Sequence, residues 1–404
     1  MKMISLLLYC FLLLNCHSPA QKSIPVKALE VNNKIKVGAE RTEAYFNDLN
    51  GKKVGVVANQ TSMIGTTHLV DSLLGAGIKV VKVFAPEHGF RGDASAGETI
   101  KNGKDTKTGL PLLSLYGKNK KPNPEMLKDV DVIIFDIQDV GARFYTYIST
   151  MHYVMEAAVE NKKSLIILDR PNPNGFYVDG PVLDMKYQSF VGMHPIPIVH
   201  GLTVGELAKM ILGEKWIKTS NTDFLKVVPC ENYRHADLFV PAVRPSPNLP
   251  NITSIYLYPS LCWFEGTIVS VGRGTEYPFE LIGFPGNKTG NFTFTPRDIP
   301  QVAMDPPSEG KVCNGHLLRE FGSFYITSSR QLYLDWLTGM YEQAPDKTAF
   351  FSSPDFFDKL AGSDVLRKQL IAGITNDDIR KSWKQGLDDY KIKRKKYLLY
   401  PDFE

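Results

Sequence analysis

The segment "DVIIFDIQD" (131–139) constrains the fold more than any other: its apolar residues run on without polar alternation and stop at an aspartate. A strand that alternates can leave one face in water, whereas an unbroken apolar strand has to be covered on both faces. Runs of the same kind recur as "GKKVGVVAN" (51–59), "IKVVKVFAP" (78–86), "LPLLSLYG" (110–117) and "SLIILDRPNP" (164–173). Between them lie segments of helical spacing. "THLVDSLLGAG" (67–77) is closed by glycine, "NPEMLKDV" (123–130) has proline near its start, and "RFYTYISTMHYVMEAAVENKK" (143–163) is long and amphipathic. Short buried strands alternating with helices predict βαβ units, and so an α/β fold with a Rossmann-like parallel sheet covered by helices on both faces.

Beyond residue 175 this rhythm weakens. A helix is expected at "GELAKMILGEKW" (205–216) and a strand at "LKVVPC" (225–230), after which the proline-rich "VRPSPNLPN" (243–251) marks the end of a domain. The remainder of the chain mixes expected strands, "LYPSLCWFEGT" (257–267) and "GSFYITS" (322–328), with expected helices, "DVLRKQLIAG" and "DIRKSWKQGLDDYKIKRKKY". The division is therefore a Rossmann-like catalytic domain over 36–250 and a smaller α+β domain over 251–404 that closes a cleft against it.

The amino-terminal residues stand apart. Lys2 precedes "ISLLLYCFLLL", an apolar run too short to span a bilayer, and Cys16 follows where a bacterial lipoprotein signal carries its acylated cysteine. Residues 1–16 read as a lipoprotein signal and 17–35 as a polar tether, with a lipid-anchored, periplasm-facing location expected. Cys230, Cys262 and Cys313 are widely spaced and form no CxxC, so buried free thiols are expected rather than a zinc site or a disulfide framework. A net charge of +4 over 404 residues gives no ground for nucleic-acid binding. The basic run "KIKRKK" (391–396), beside Asp388 and Asp389, reads as a solvated helical face.

In an open parallel sheet, ligands bind beyond the carboxyl ends of the strands. Every loop on that edge carries polar residues: Asn59-Gln60-Thr61, Glu87-His88 with Arg91, Tyr116-Gly117, Asp136 through Arg143, and Asp169-Arg170. The loops of the opposite edge ("GAGIK", "ENKKS") are plain. This asymmetry points to a cleft with acidic and cationic lining. No G-x-G-x-x-G follows the first strand, and a Walker loop and a G-x-S-x-G elbow are absent, so no cofactor is called for. Glu87, His88, Asp136, Asp139 and His200 are eligible metal ligands but lack a spacing such as H-E-x-x-H, leaving a metal-dependent hydrolase as a minor alternative. Carboxylates in glycine-rich turns near arginines suit glycoside hydrolysis, in which one acid protonates the departing oxygen and a second supports the oxocarbenium ion or activates water. Glu87, delivered by an apolar strand end, has the setting of the proton donor.

These loops also carry a family resemblance. "KKVGVVANQTS", "FAPEHGFRGDASAGE", "DVIIFDIQDVGARFYTYISTM", "LDRPNPNG", "PIPIVHGLTVGELA", "RPSPNLPN" and "EGTIVSVGRGTEYPFELIGFP" together resemble the DUF1343 family, which includes the NamZ-like exo-β-N-acetylmuramidases. The resemblance runs from about residue 36 to the carboxyl end. It implies a Rossmann-like domain, a smaller domain and a cleft between them, with release of N-acetylmuramic acid (MurNAc) from the non-reducing end of peptidoglycan fragments. It also places the glutamate of the family's "PEHG" motif, the proposed catalytic acid, on Glu87. Such a substrate carries a lactyl carboxylate, for which a planar guanidinium is the natural bidentate partner. Arg91, Arg143 and Arg273 are the candidates, unless they brace their loops against Asp136, Asp139 or Glu276. The second carboxylate is open between Asp136, Asp139, Glu265 and Glu276. His88 is assigned to the catalytic group, and Asn59, Tyr145 and His200 to substrate binding, while Asp93 and Glu98 read as loop braces. A muropeptide-binding lipoprotein without catalysis is the other alternative.

Overall fold

The computed structural model describes residues 31–91, 102–117 and 119–404. The signal segment with Cys16, most of the tether, Asp93 and Glu98 lie outside the described residues. The main sheet is built from β1 (Val54–Ala58), β2 (Val80–Ala85), β3 (Gly103–Lys104), β4 (Pro111–Ser114), β5 (Val132–Asp136), β6 (Ser164–Leu168) and β7 (Leu225–Val228), in the order β3-β4-β2-β1-β5-β6-β7. All pairings are parallel except that of the short edge strand β3 with β4. Each strand expected from an apolar run is present.

The runs are apolar because both faces are covered. Along β5, Ile133 and Phe135 point into one core, which contains α2 (Tyr147–Glu160) and α3 (Val204–Gly213); Val132 and Ile134 point into the other, with α1 (Leu69–Gly75). The same alternation divides Leu165 and Ile167 from Ile166 and Leu168 in β6. α2 starts at Tyr147 rather than at Arg143: residues 143–146 form turns that let the chain leave β5 and cross the sheet edge.

The first of these cores continues without a break into the second domain. There α4 (Ile252–Leu261), capped by Asn251, is buried nearly all round and runs into a 3-10 turn at Cys262–Gly266. α5 (Arg319–Ser329) packs on α4, α7 (Pro354–Ala361) packs on the 3-10 turn and α8 (Val365–Ile371) on α7, and α6 (Leu334–Gln343) and a small antiparallel sheet of β8 (Leu281–Phe284), β10 (Cys313–Leu317) and β9 (Phe292–Phe294) complete the domain. Two expected strands are therefore helices. "LYPSLCWFEGT" lies in α4 and its 3-10 extension, because an element covered on all sides shows no period that separates helix from strand. "GSFYITS" lies in α5, where Gly322 lets the helix pack directly on Leu257 of α4 in spite of its aromatic and β-branched content.

The last helix, α9 (Asn376–Lys395), returns to the first domain: Tyr390 donates to the carbonyl of His200 and Arg394 to that of Gly201. Its basic run is largely paired, Lys391 and Lys395 with Glu404, Lys393 with Glu214 and the fully buried Arg394 with Asp402. Cys230, Cys262 and Cys313 are free and buried.

Candidate active site

The chain reverses sides between β4 and β5, so the crevice where such sheets usually bind ligands lies between β1 and β5. Here an ion pair fills the floor of that crevice, leaving a smaller cavity of about 180 Å³ lined by Thr61, Met63, Gln138 and Arg170. Arg170 donates from Nε and Nη2 to the buried Asp136 at 2.6 and 2.9 Å and again from Nη2 to the partly buried Met63 carbonyl. A cavity of about 290 Å³ sits over the ends of β2 and β4 and is roofed by the second domain.

Glu87 enters this cavity from a tight turn. Pro86 ends β2, and the Gly89 N–H donates back to the Pro86 carbonyl at 3.1 Å. His88, the third residue of the turn, has φ +70°, and Gly89 follows at +77°. That third position usually takes glycine or asparagine, and a histidine there costs about 1 kcal/mol. The half-buried Glu87 accepts from the Thr146 hydroxyl at 3.0 Å, and the Tyr116 hydroxyl is hydrogen-bonded to it. Burial, reinforced by the Glu87 charge and this bond, pushes the Tyr116 phenol well above its ordinary value, so Tyr116 stays a donor. Behind the turn, Asn59 Nδ2 donates to the Tyr147 hydroxyl at 2.9 Å, and that hydroxyl lies 3.3 Å from the Glu87 carbonyl. The ends of β1 and β4 and the start of α2 thus all fix one glutamate.

The second domain supplies the facing wall. Arg273 donates through Nε to Glu265 Oε1 at 2.6 Å, its Nη2 lies 2.6 Å from the same oxygen as an ion pair, and its guanidinium lies 5.1 Å from the Phe279 ring centroid. Burial opposes the Arg273 charge, but Glu265 outweighs it and the guanidinium stays protonated. Tyr145, Phe144, Tyr258, Phe190, Phe356 and Leu360 complete a mostly aromatic enclosure, to which the buried Ser246 and Asn248 add polar groups.

Of the candidate residues, Glu87, His88, Tyr145, Glu265 and Arg273 come together in this cavity. The others lie elsewhere, each for a structural reason. Asn59 is one layer behind, acting on Glu87 through Tyr147. Arg91 grips Asp105 through two bonds of 3.0 and 2.9 Å and stacks on Phe90 outside the cavity. Arg143 is fully buried and donates to the carbonyls of Pro181, Ile196 and Leu360 at 2.8–2.9 Å, so it clamps backbone instead of reaching an anion. Asp136 is held in the ion pair with Arg170. Asp139 accepts from the Gly141 N–H at 2.7 Å, and burial raises its carboxyl to about 7. His200 lies 3.9 Å from Asp139 and is pushed by burial down to about 3. Glu276 is exposed and does not line the cavity. The described residues that could group around a cation are Asp298, Asp305 and Glu309, which are exposed and apart from this cavity. Thr146, Phe190, Ser246 and Asn248 were not singled out by sequence. Polar residues between the prolines of "RPSPNLPN" were the available signal for the last two.

The comparisons agree with this architecture. Residues 54–253 match the family model for the N-terminal part of the exo-β-N-acetylmuramidase NamZ, and residues 256–400 match that for its C-terminal part. The chain is 40% identical over 378 residues to the peptidoglycan β-N-acetylmuramidase NamZ of Bacillus subtilis (strain 168), covering 88% of this chain and 89% of that one. A DUF1343 family protein of Bacteroides fragilis NCTC 9343 is similar in structure, with a TM-score of 0.83, 47% identity and coverage of 91% of this chain and 99% of that one. A second from the same strain has a TM-score of 0.76 and 32% identity, covering 91% and 100%. The chain belongs to the NamZ exo-β-N-acetylmuramidase family, DUF1343.

Proposed function

We propose that this protein is an exo-acting glycoside hydrolase that releases MurNAc from the non-reducing end of peptidoglycan fragments, with Glu87 as proton donor. The observation that carries the reading is the pairing across one small cavity of Glu87, held on a strained turn, with the Glu265–Arg273 pair of the second domain. Cleavage requires a proton on the departing glycosidic oxygen and an anionic group to support the oxocarbenium ion or activate water. Thr146 and Tyr116 orient the Glu87 carboxyl for the first task. Among the four candidates for the second carboxylate, Glu265 lines the cavity, and this supports its assignment to the second task. Arg273, the cavity's guanidinium, would receive the lactyl carboxylate, and His88 would position the sugar. A cavity closed by Tyr258, Phe279 and Leu360 suits a terminal sugar rather than a continuous strand.

The leader, with Lys2, a short apolar run and Cys16, supports a lipid-anchored enzyme facing the periplasm, where peptidoglycan fragments arise. A Cys16→Ala variant would then leave the membrane fraction.

The test is to incubate the protein with MurNAc–GlcNAc and identify the products by mass spectrometry. Free MurNAc is expected, with activity unchanged by a chelator. Saturable binding without turnover of any β-muramoyl glycoside would refute the hydrolase, and loss of activity with chelator would point to metal-dependent hydrolysis.

A further inference from the structure

A second cavity, of about 490 Å³, adjoins the first and is separated from it by a single turn. The turn is closed by reciprocal bonds between Ser189 and Gly192, at 3.0 and 3.1 Å, which put Phe190 and Val191 at its tip. Phe190 lines both cavities and Val191 the first. On the far side the Phe190 ring stacks on Tyr153, with centroids 6.2 Å apart and planes 13° from parallel, and Lys120 Nζ lies 4.3 Å from its centroid. Trp216 forms a further wall, held by stacking on His194 at 5.2 Å. Tyr153 stands on α2 seven residues beyond Thr146, which contacts Glu87; at 1.5 Å per residue this is about 10 Å along the helix.

Resting on the hydrolase reading above, we propose that this second cavity is the binding site for the sugar on the leaving side of the scissile bond. A general acid acts on the oxygen that joins two sugars, so Glu87 must stand near the junction of two subsites. The first cavity has room for the terminal sugar, and the ridge of Phe190 leads directly to the second. Aromatic faces suit the C–H face of a pyranose, while Lys120 and Gln188 offer hydrogen bonds to its hydroxyl and acetamido groups. Binding energy gathered there, away from the reacting bond, would be spent on positioning the glycosidic oxygen against Glu87.

The experiment compares two substrates in the full chain and in two separate variants, Tyr153→Ala and Trp216→Ala. One substrate is MurNAc–GlcNAc, and the other is a β-MurNAc glycoside with a small activated leaving group that cannot fill the second cavity. In each variant kcat/KM for the disaccharide should fall by about 10- to 100-fold, with turnover of the activated glycoside kept within about 3-fold. The second number also shows that the variant is folded. Equal losses on both substrates, or no loss on the disaccharide, would overturn the proposal. If the unmodified protein cleaves neither substrate, the hydrolase reading itself fails, which is a different result.

Discussion

Arg143 offers the sharpest separation between a residue that binds substrate and one that holds the site together. Its guanidinium is fully buried, lacks a carboxylate partner among the described contacts, and donates to three backbone carbonyls. One of these, Leu360, belongs to α7, which lines the cavity from the second domain. Gly362, at φ +92°, is glycine partly because a Cβ there would stand 2.6 Å from Arg143 Nη2. In Arg143→Lys the charge remains, but an ammonium on a flexible stem cannot reproduce the fork. Two of the three bonds are lost, and charge-assisted bonds contribute about 1.5–3 kcal/mol each, so a loss of about 3–6 kcal/mol is expected. At roughly 2 °C per kcal/mol for a large domain, the melting temperature should fall by about 6–12 °C. Burial already lowers this guanidinium to about 9, and a lysine in its place would be depressed as well. The assay is thermal unfolding followed by circular dichroism, with KM for MurNAc–GlcNAc measured well below the transition. A variant with unchanged melting temperature and a KM raised tenfold would refute the clamp and restore Arg143 to the anion site.

Further predictions concern the site and the buried groups beside it. Arg273→Lys should raise KM for muramoyl substrates by about tenfold while leaving thermal stability within about 1 kcal/mol, since lysine keeps a positive charge opposite Glu265; a variant with unaltered KM would remove Arg273 from lactyl recognition. Thr146→Val, which deletes the hydroxyl held 3.0 Å from Glu87, should lower kcat several-fold with KM little changed. An unchanged kcat would show that Thr146 does not orient the acid. Asp139 gives a pH signature. Its folded-state value, raised by burial to about 7 from 3.8, means that the protonated form contributes stability which is full below about pH 4 and lost as pH rises through 7. Asp139→Asn cannot ionise, so relative to the parent it should gain about 2 kcal/mol between pH 5 and pH 7 in urea titrations; a difference independent of pH would contradict the buried-carboxyl assignment.

Much of the fold was legible because burial on both faces writes itself as unbroken apolar strands, as in β1, β2, β5 and β6. The same signal failed in the second domain. α4 is apolar all round, so its residues carry no period, and α5 has strand-like composition overridden by its packing on Leu257. At the site, Glu87 and His88 were marked by their position just past a strand end, and Glu265 and Arg273 by glycine-bearing loops. Arg143, Asp136, Asp139 and His200 carry the same marks, yet lie buried in contacts that hold loops and fill the floor of the switch point. Sequence does not separate a loop residue that faces a cavity from one that faces its own backbone, because the difference is a rotation of a few side chains. Phe190 was invisible for another reason: its role comes from a turn distant in sequence from every strand end.

Proton donation by Glu87 is probed without intermediaries by the leaving-group dependence of Glu87→Gln. Glutamine keeps the shape and the hydrogen bond from Thr146 but has no proton to give. General acid catalysis contributes about 10²–10⁴-fold when the departing oxygen is basic, and little when the leaving group departs readily by itself. Glu87→Gln should therefore lose about 10³-fold in kcat/KM on MurNAc–GlcNAc and less than about 10-fold on an activated aryl β-MurNAc glycoside. Equal loss on both substrates, or full activity on the disaccharide, would contradict Glu87 as the proton donor.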